Sequence, residues 1–490
     1  MNIFRNAILL TVVNLLLRFA GTSFQVFLSS RIGPAGIGLL QLTMSVGSLA
    51  MVAGMGGIRT AAMYLTAGEL GRKKPQNITC ILSGCFIYSI LFSGTIATAL
   101  YFLAPGIGTN WIGDVRVIPA LRLFAAFLPC TCLCGVMTGY FTAACRIGTL
   151  AAVEVAEQLF SMALTLTTLG IWGEQDPGRA CLCVVLGSGL GGCLTLICLI
   201  ILRYRERPSK GYRIPVARNI CRTALPLAAA DDLRTGISTI ENLMVPKRLA
   251  LNTAVANPLA SFGTVSGMVF PILMFPACIL FGLAELLIPE LARCRAAESR
   301  RRIGYLVRRS LKAALLYGVL FSGLMYLLAE NLCQRFYGSS EAGHYLKLYA
   351  LLIPMLYCDA ITDAMIKGLG QQTVSVRYNI LTNLLDVIFL YLLLPKFGMM
   401  GYFFSFLVTH LLNFILSLRR LLKITGQRIP SYIPMLTVSA GLSAAWCVSR
   451  LAQPVLRAVL FPVVLFCLLY LLKILRQEDA VWLKGLLHKK

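Results

Sequence analysis

The chain has 490 residues, 58% hydrophobic and 13% charged, with a mean hydropathy of +0.77 and a net charge of +25. A soluble domain carries roughly twice that share of charge, so the composition excludes one and indicates an all-α polytopic membrane protein. Its 42 glycines and 20 prolines are spread through apolar segments, as in packed transmembrane helices.

Hydropathy places fourteen spans, at 6–30, 36–61, 80–104, 118–141, 150–172, 181–202, 221–245, 259–287, 311–329, 345–365, 378–394, 399–418, 433–451 and 455–475. The first is too long for a cleaved signal peptide, lacks a small-residue cleavage site and carries Arg18. At ~1.5 Å per residue Arg18 lies near the midplane of a ~30 Å hydrocarbon core. On a wheel of about 100° per residue, Asn14, Arg18, Gly21, Gln25 and Ser29 fall within one stripe. An intramembrane arginine costs at least ~2.5 kcal/mol. It therefore either faces a watery cavity, where it meets an anionic ligand or a carboxylate, or is neutralised by a neighbouring helix for assembly. Arg59, at the end of span 2, lines the same cavity or snorkels to the interface.

Span 7 repeats the stripe with Asp231, Thr235, Ser238 and Asn242, flanked by Asp232 and Thr239. Arg234 and Glu241 run beside it, as partners for one another or for span 1. Spans 10 and 11 supply Asp359, Asp363 and Lys367 at i,i+4 steps, and Asn379, Asn383 and Asp386 on one face. These carboxylates, with Asp232, either bind a coupling cation (H+ or Na+) or make interhelical hydrogen bonds. His410 is the one intramembrane histidine, expected neutral and hydrogen-bonded.

The spans form two copies of one plan. Arg31-Ile32 after span 1 matches Arg248-Leu249 after span 7, Glu69-Leu70 matches Glu290-Leu291, and Gly139 to Arg146 matches Gly368 to Gln371. Six spans is an even number, so both copies enter from the same side and form a parallel pseudo-twofold repeat. The expected organisation is an N-terminal lobe at 1–203, a basic linker at 204–220 and a second lobe at 221–422. Spans 13 and 14 and a tail follow at 423–490. Alternate loops hold 31 of the 45 Lys and Arg and the opposite loops 10, so both termini are expected in the cytoplasm. The basic loops lack the aromatic interleaving of nucleic-acid surfaces and are read as contacts to anionic lipid headgroups.

Seventeen cysteines fall mostly inside spans and read as packing residues. Cys130, Cys132 and Cys134 lack the spacing and histidines of a metal site, and no metal or other cofactor is expected. The outer loops are too short for a catalytic domain, which argues against an enzyme.

With these features the chain resembles the multidrug, oligosaccharidyl-lipid and polysaccharide exporter superfamily. Within it, the chain is similar to the fourteen-span stage V sporulation protein B-like polysaccharide-biosynthesis flippases, relatives of the peptidoglycan lipid II flippases. The marks are Arg18 with Gly21, Gly54-Met55-Gly56-Gly57-Ile58 running into Arg59, Leu243 to Leu249, Gly368-Leu369-Gly370-Gln371, and Leu394-Pro395-Lys396-Phe397-Gly398. The resemblance implies a cavity between two six-helix lobes that moves a lipid-linked saccharide across a bacterial plasma membrane by alternating access. The resemblance implies that Arg18 takes a phosphate-holding position of such flippases and Arg59 a second. Span 8 departs from that pattern, having no arginine before Arg293. The competing expectation is a cation-coupled multidrug exporter of the same superfamily, with Asp231, Asp232 and Asp386 as ion or drug sites.

Overall fold

The computed structural model describes residues 2–72, 76–172, 176–205, 217–427, 430, 432–451 and 453–475. Most of the basic linker and of the C-terminal tail, with Lys73, Lys74 and Arg428, lie outside these residues. Asn14 lies in a described helix, but its side chain does not belong to the described set.

The described residues are helical, without a strand. In order the helices are α1 (Asn2–Met55), α2 (Ile58–Gly71), α3 (Asn77–Gly106), α4 (Ile118–Ala143), α5 (Ile147–Trp172), α6 (Pro177–Tyr204), α7 (Ala217–Leu249), α8 (Pro258–Gly263) and α9 (Phe270–Met274). They continue as α10 (Ala277–Ala296), α11 (Arg300–Tyr337), α12 (Ser340–Ala350), α13 (Ile353–Gly368), α14 (Gln372–Phe397), α15 (Met399–Thr425), α16 (Tyr432–Ser449) and α17 (Pro454–Leu471). Wider π-turns lie at Ile107–Ile112 and Thr264–Val269.

Among the described residues ten helices are long and apolar enough to cross a membrane, or twelve with two bent pairs, 258–296 and 340–368. The first such stretch, Leu15–Leu70, has 56 residues, or ~84 Å at ~1.5 Å each, against a ~30 Å core. It therefore holds two traverses, and the break within α1 is Gly33, whose φ of 72° and ψ of 174° are not helical. Helix α7 is long enough to cross as well but less apolar than these, because Asp231, Asp232, Arg234 and Glu241 lie along it. Span 2, expected to run unbroken to 61, is interrupted at Gly56 and Gly57, with φ of 47° and 69°, and continues as α2.

The chain forms two compact units: 1–267 with 386–401, and 268–385 with 402–490. In the first, Ile58, Ala61, Ile81, Met137, Phe141 and Leu199 form a buried cluster of α2, α3, α4 and α6. In the second, Val319 and Leu327 of α11 pack with Ala440 and Ala444 of α16 and with Phe461 and Leu465 of α17. Each copy of the repeat uses the same local devices. Glu69 accepts from Arg72 Nη1 and Asn77 Nδ2, both at 2.8 Å, while Glu290 accepts from Arg302 Nη2 at 2.6 Å. Gly139 backs onto the carbonyl of Arg59, and Gly368 onto that of Ile288.

Gly57 yields a direct stability prediction. Its φ is left-handed, and a Cβ there would collide with the Ala224 carbonyl of α7. Gly57→Ala should therefore cost about 1–3 kcal/mol. Gly68→Ala, with nothing within 4 Å, should gain up to ~1 kcal/mol of helix propensity. Thermal unfolding of the two purified variants should move in opposite directions; a common shift would exclude this account of the break.

Candidate functional site

Polar side chains of the first unit concentrate along α1 and α7. Arg18 is exposed, Gln25 is half-buried, and Ser29 is fully buried. The stripe thus runs from the helix surface into the interior within three turns. On α7 Asp231 and Arg234 are exposed, and Thr235 and Ser238 are half-buried. Farther along, Asn242 Nδ2 donates to Ser45 Oγ at 3.0 Å and Thr239 Oγ1 to the Ser45 carbonyl at 3.2 Å. The far end of this stripe therefore joins α7 to the second arm of α1, and only its earlier part is open to a ligand.

Asp232 points elsewhere. Its Oδ1 is shielded from water without a hydrogen-bond partner among the described residues. The group lies within electrostatic reach of Tyr88, whose hydroxyl donates to the Gly56 carbonyl at 3.1 Å. A buried carboxylate oxygen lacking a donor suits a proton or a small cation. Arg59 is exposed at the first turn of α2 and within electrostatic reach of Glu154 on α5.

Glu241 finds its partner neither in Arg234 nor on span 1. It shares a hydrogen bond with Asp386 of α14, which is only 6% exposed. Two carboxyl groups can share a hydrogen bond only when one of them is protonated.

The second unit holds a cavity of about 160 Å³ lined by Tyr357, Asp359, Asp363, Asn379, His410 and Asn413, among apolar neighbours. Asn413 Nδ2 reaches both oxygens of Asp359, at 3.0 and 3.3 Å. Lys367 Nζ lies 2.6 Å from Asp363 Oδ2, and Ser375 Oγ donates to Asp363 Oδ1. Of the expected relay, the step from Asp363 to Lys367 is formed, while Asp359 turns to α15. His410 packs against the Phe406 ring, 4.0 Å between centroids. Asn413 was not foreseen; its signal was its place one turn after His410 on the same face of span 12. The four residues expected to couple an ion thus divide among three settings: Asp232 alone, Asp386 with Glu241, and Asp359 with Asp363. Among the described residues no cluster of three His, Cys, Asp or Glu could hold a metal ion.

The same unit carries an apolar groove of about 810 Å³ between α11, the start of α13 and α16, lined by residues including Gly323, Tyr326, Pro354, Leu442 and Trp446. Arg450 lies 4.3 Å from the Trp446 ring.

Residues 249–392 match the MatE family model. Over 413 residues the chain is 22% identical to stage V sporulation protein B of Bacillus subtilis (strain 168), covering 81% of this chain and 79% of that one. The solved structure described as lipid II flippase MurJ in an inward closed conformation superposes with a TM-score of 0.71 at 12% identity, over 98% of this chain and 100% of that one. The chain has the fold of the exporter superfamily. A multidrug resistance MATE transporter of that superfamily, in an inward-facing conformation, gives a TM-score of 0.69 at 12% identity, over 85% of this chain and 98% of that one. The resemblance to that superfamily is thereby met, and the protein is a multi-pass membrane protein.

Proposed function

We propose that the protein is a flippase that carries a polyprenyl-diphosphate-linked saccharide, a cell-wall, spore-cortex or polysaccharide precursor, across the bacterial plasma membrane by alternating access. In this reading the lobes are residues 1–203 and 221–422 and both termini are cytoplasmic. The observation that carries the lipid cargo is the apolar groove walled by α16, a helix beyond the twelve of the repeat. A prenyl chain needs an apolar channel while its diphosphate needs cations, since unaided passage of the charged group through hydrocarbon is prohibitive. Arg18, exposed on α1, offers a planar fork of donors suited to phosphate, and Gln25, Arg59, Asp231, Arg234, Thr235 and Ser238 supply polar contacts to the saccharide and diphosphate.

Coupling to H+ or Na+ is assigned to the Glu241–Asp386 pair and to Asp232, Asp359 and Asp363. The rival reading, a cation-coupled multidrug exporter, draws on the MatE match and on the carboxylate-lined cavity of the second unit.

The test uses proteoliposomes loaded with a fluorescent polyprenyl-diphosphate saccharide, following its accessibility to an external quencher. Arg18→Ala should slow flipping roughly 10- to 100-fold, the factor for losing ~1.5–3 kcal/mol of a charged hydrogen bond. Ser443→Trp, which fills the groove beside exposed Trp446, should slow lipid flipping as well. Efflux of a cationic dye without any lipid movement would decide for the multidrug reading.

A further inference from the structure

The ends of α3, α7 and α14 meet within the first unit, and the side they share is called distal below. There α7 closes with consecutive cations. Lys247 Nζ donates to the Asn110 carbonyl, in the π-turn that ends α3. Arg248 donates from Nε and Nη2 to the Tyr391 carbonyl, at 3.2 and 2.9 Å, with its guanidinium 3.5 Å from the Tyr391 ring centroid. Three residues past α7, Asn252 Nδ2 donates to the Pro395 carbonyl at 3.1 Å.

The acceptor at Tyr391 follows from the sequence. Inside an α-helix its carbonyl would accept from the N–H of residue 395, but residue 395 is proline and has none. Pro395 thus leaves an orphan carbonyl near the negative end of α14, where a cation is favoured. The Leu394-Pro395-Lys396 mark, otherwise only a turn signal, creates the docking point for Arg248.

We propose that Lys247, Arg248 and Asn252 form a latch that holds the distal ends of α3, α7 and α14 together, and that transport requires its release. The inference rests on the alternating-access reading for its role in a cycle. Its chemistry suits a reversible contact: each of these bonds goes from a side chain to a neutral carbonyl, and Lys247 and half-exposed Tyr391 are open to water. Released cations are therefore readily hydrated, which a buried ion pair would not allow.

Hydrogen–deuterium exchange on the full-length protein in lipid nanodiscs tests the latch without any cargo. Lys247→Ala with Arg248→Ala should speed exchange about tenfold or more in 107–113, 247–257 and 391–401, leaving α4 to α6 unchanged. Pro395→Ala should restore the intrahelical bond to Tyr391, protecting α14 while loosening 247–252, an opposite pair of changes that general destabilisation cannot produce. Unchanged exchange at the distal segments, or acceleration spread evenly through α4 to α6, overturns the latch. Should the distal segments respond as stated while no lipid moves in proteoliposomes, the latch stands and the flippase reading fails.

Discussion

Asp386→Asn is expected to fold nearly as well as the natural protein and, if the Glu241–Asp386 pair couples protons to the proposed transport, to transport with a flattened pH profile. A hydrogen bond between Glu241 and Asp386 requires that one of the two carboxyl groups carry a proton, which leaves one negative charge on the pair. With asparagine at 386 the amide donates to an ionised Glu241, so charge and hydrogen bond persist while the exchangeable proton is gone. Asp386→Ala removes the partner altogether. Glu241, half-buried, then loses its bond, at a cost of about 1–3 kcal/mol at most, and a void is added beside it. Thermal unfolding should therefore rank the natural protein and Asn variant together, with Ala below. Flipping measured across a pH series should flatten in Asp386→Asn. A pH profile unchanged in the Asn variant would remove this pair from coupling and leave Asp232, Asp359 and Asp363 to account for it.

What the sequence made legible was whatever repeats along a helix. Hydropathy placed a helix where α7 lies, with a polar stripe at 3.6-residue spacing along it, and i,i+4 spacing gave the Asp363–Lys367 pair. Paired motifs gave the repeat, and Glu69 and Glu290 each accept from a nearby arginine. Contacts between helices far apart in the chain leave no local period. Nothing around Glu241 distinguishes Asp386 on another helix from Arg234 on its own, and only packing settles the choice. Asn242 illustrates the converse limit: its wheel position put it with the cavity residues, but Ser45 lies close enough to bind it. Backbone breaks were legible only in part. Gly33 precedes a proline and fell between spans 1 and 2 as expected, whereas Gly56 and Gly57 lie inside an apolar run that reads as continuous helix.

The largest structural effect is expected at Gly263, where α8 meets α1. A Cβ on Gly263 would collide with the Pro34 carbonyl and come within 2.7 Å of the Gly38 nitrogen and 2.9 Å of its Cα. One on Gly267 would come within 2.9 Å of Ile37 Cγ2. All of this lies within the first unit. Close approach of two backbones at small residues is how membrane helices gain packing without a hydrophobic drive between them, and a backbone atom cannot yield as a flexible side chain can. Gly263→Ala should thus cost roughly 1–3 kcal/mol, and Gly263→Val more, because its branched Cβ forces the helices apart. Gly21→Ala is the control: the position lies on the Arg18 stripe with nothing within 4 Å, and gains up to ~1 kcal/mol of helix propensity. Unfolding midpoints should fall in the order Gly21→Ala, natural protein, Gly263→Ala, Gly263→Val. If the seam and the latch hold the same distal face, Gly263→Val should also speed exchange at 247–257 in a protein whose Lys247 and Arg248 are intact. Loss of stability without that change would mean that the two contacts act independently, with the seam a fixed element of the fold and the latch alone free to open.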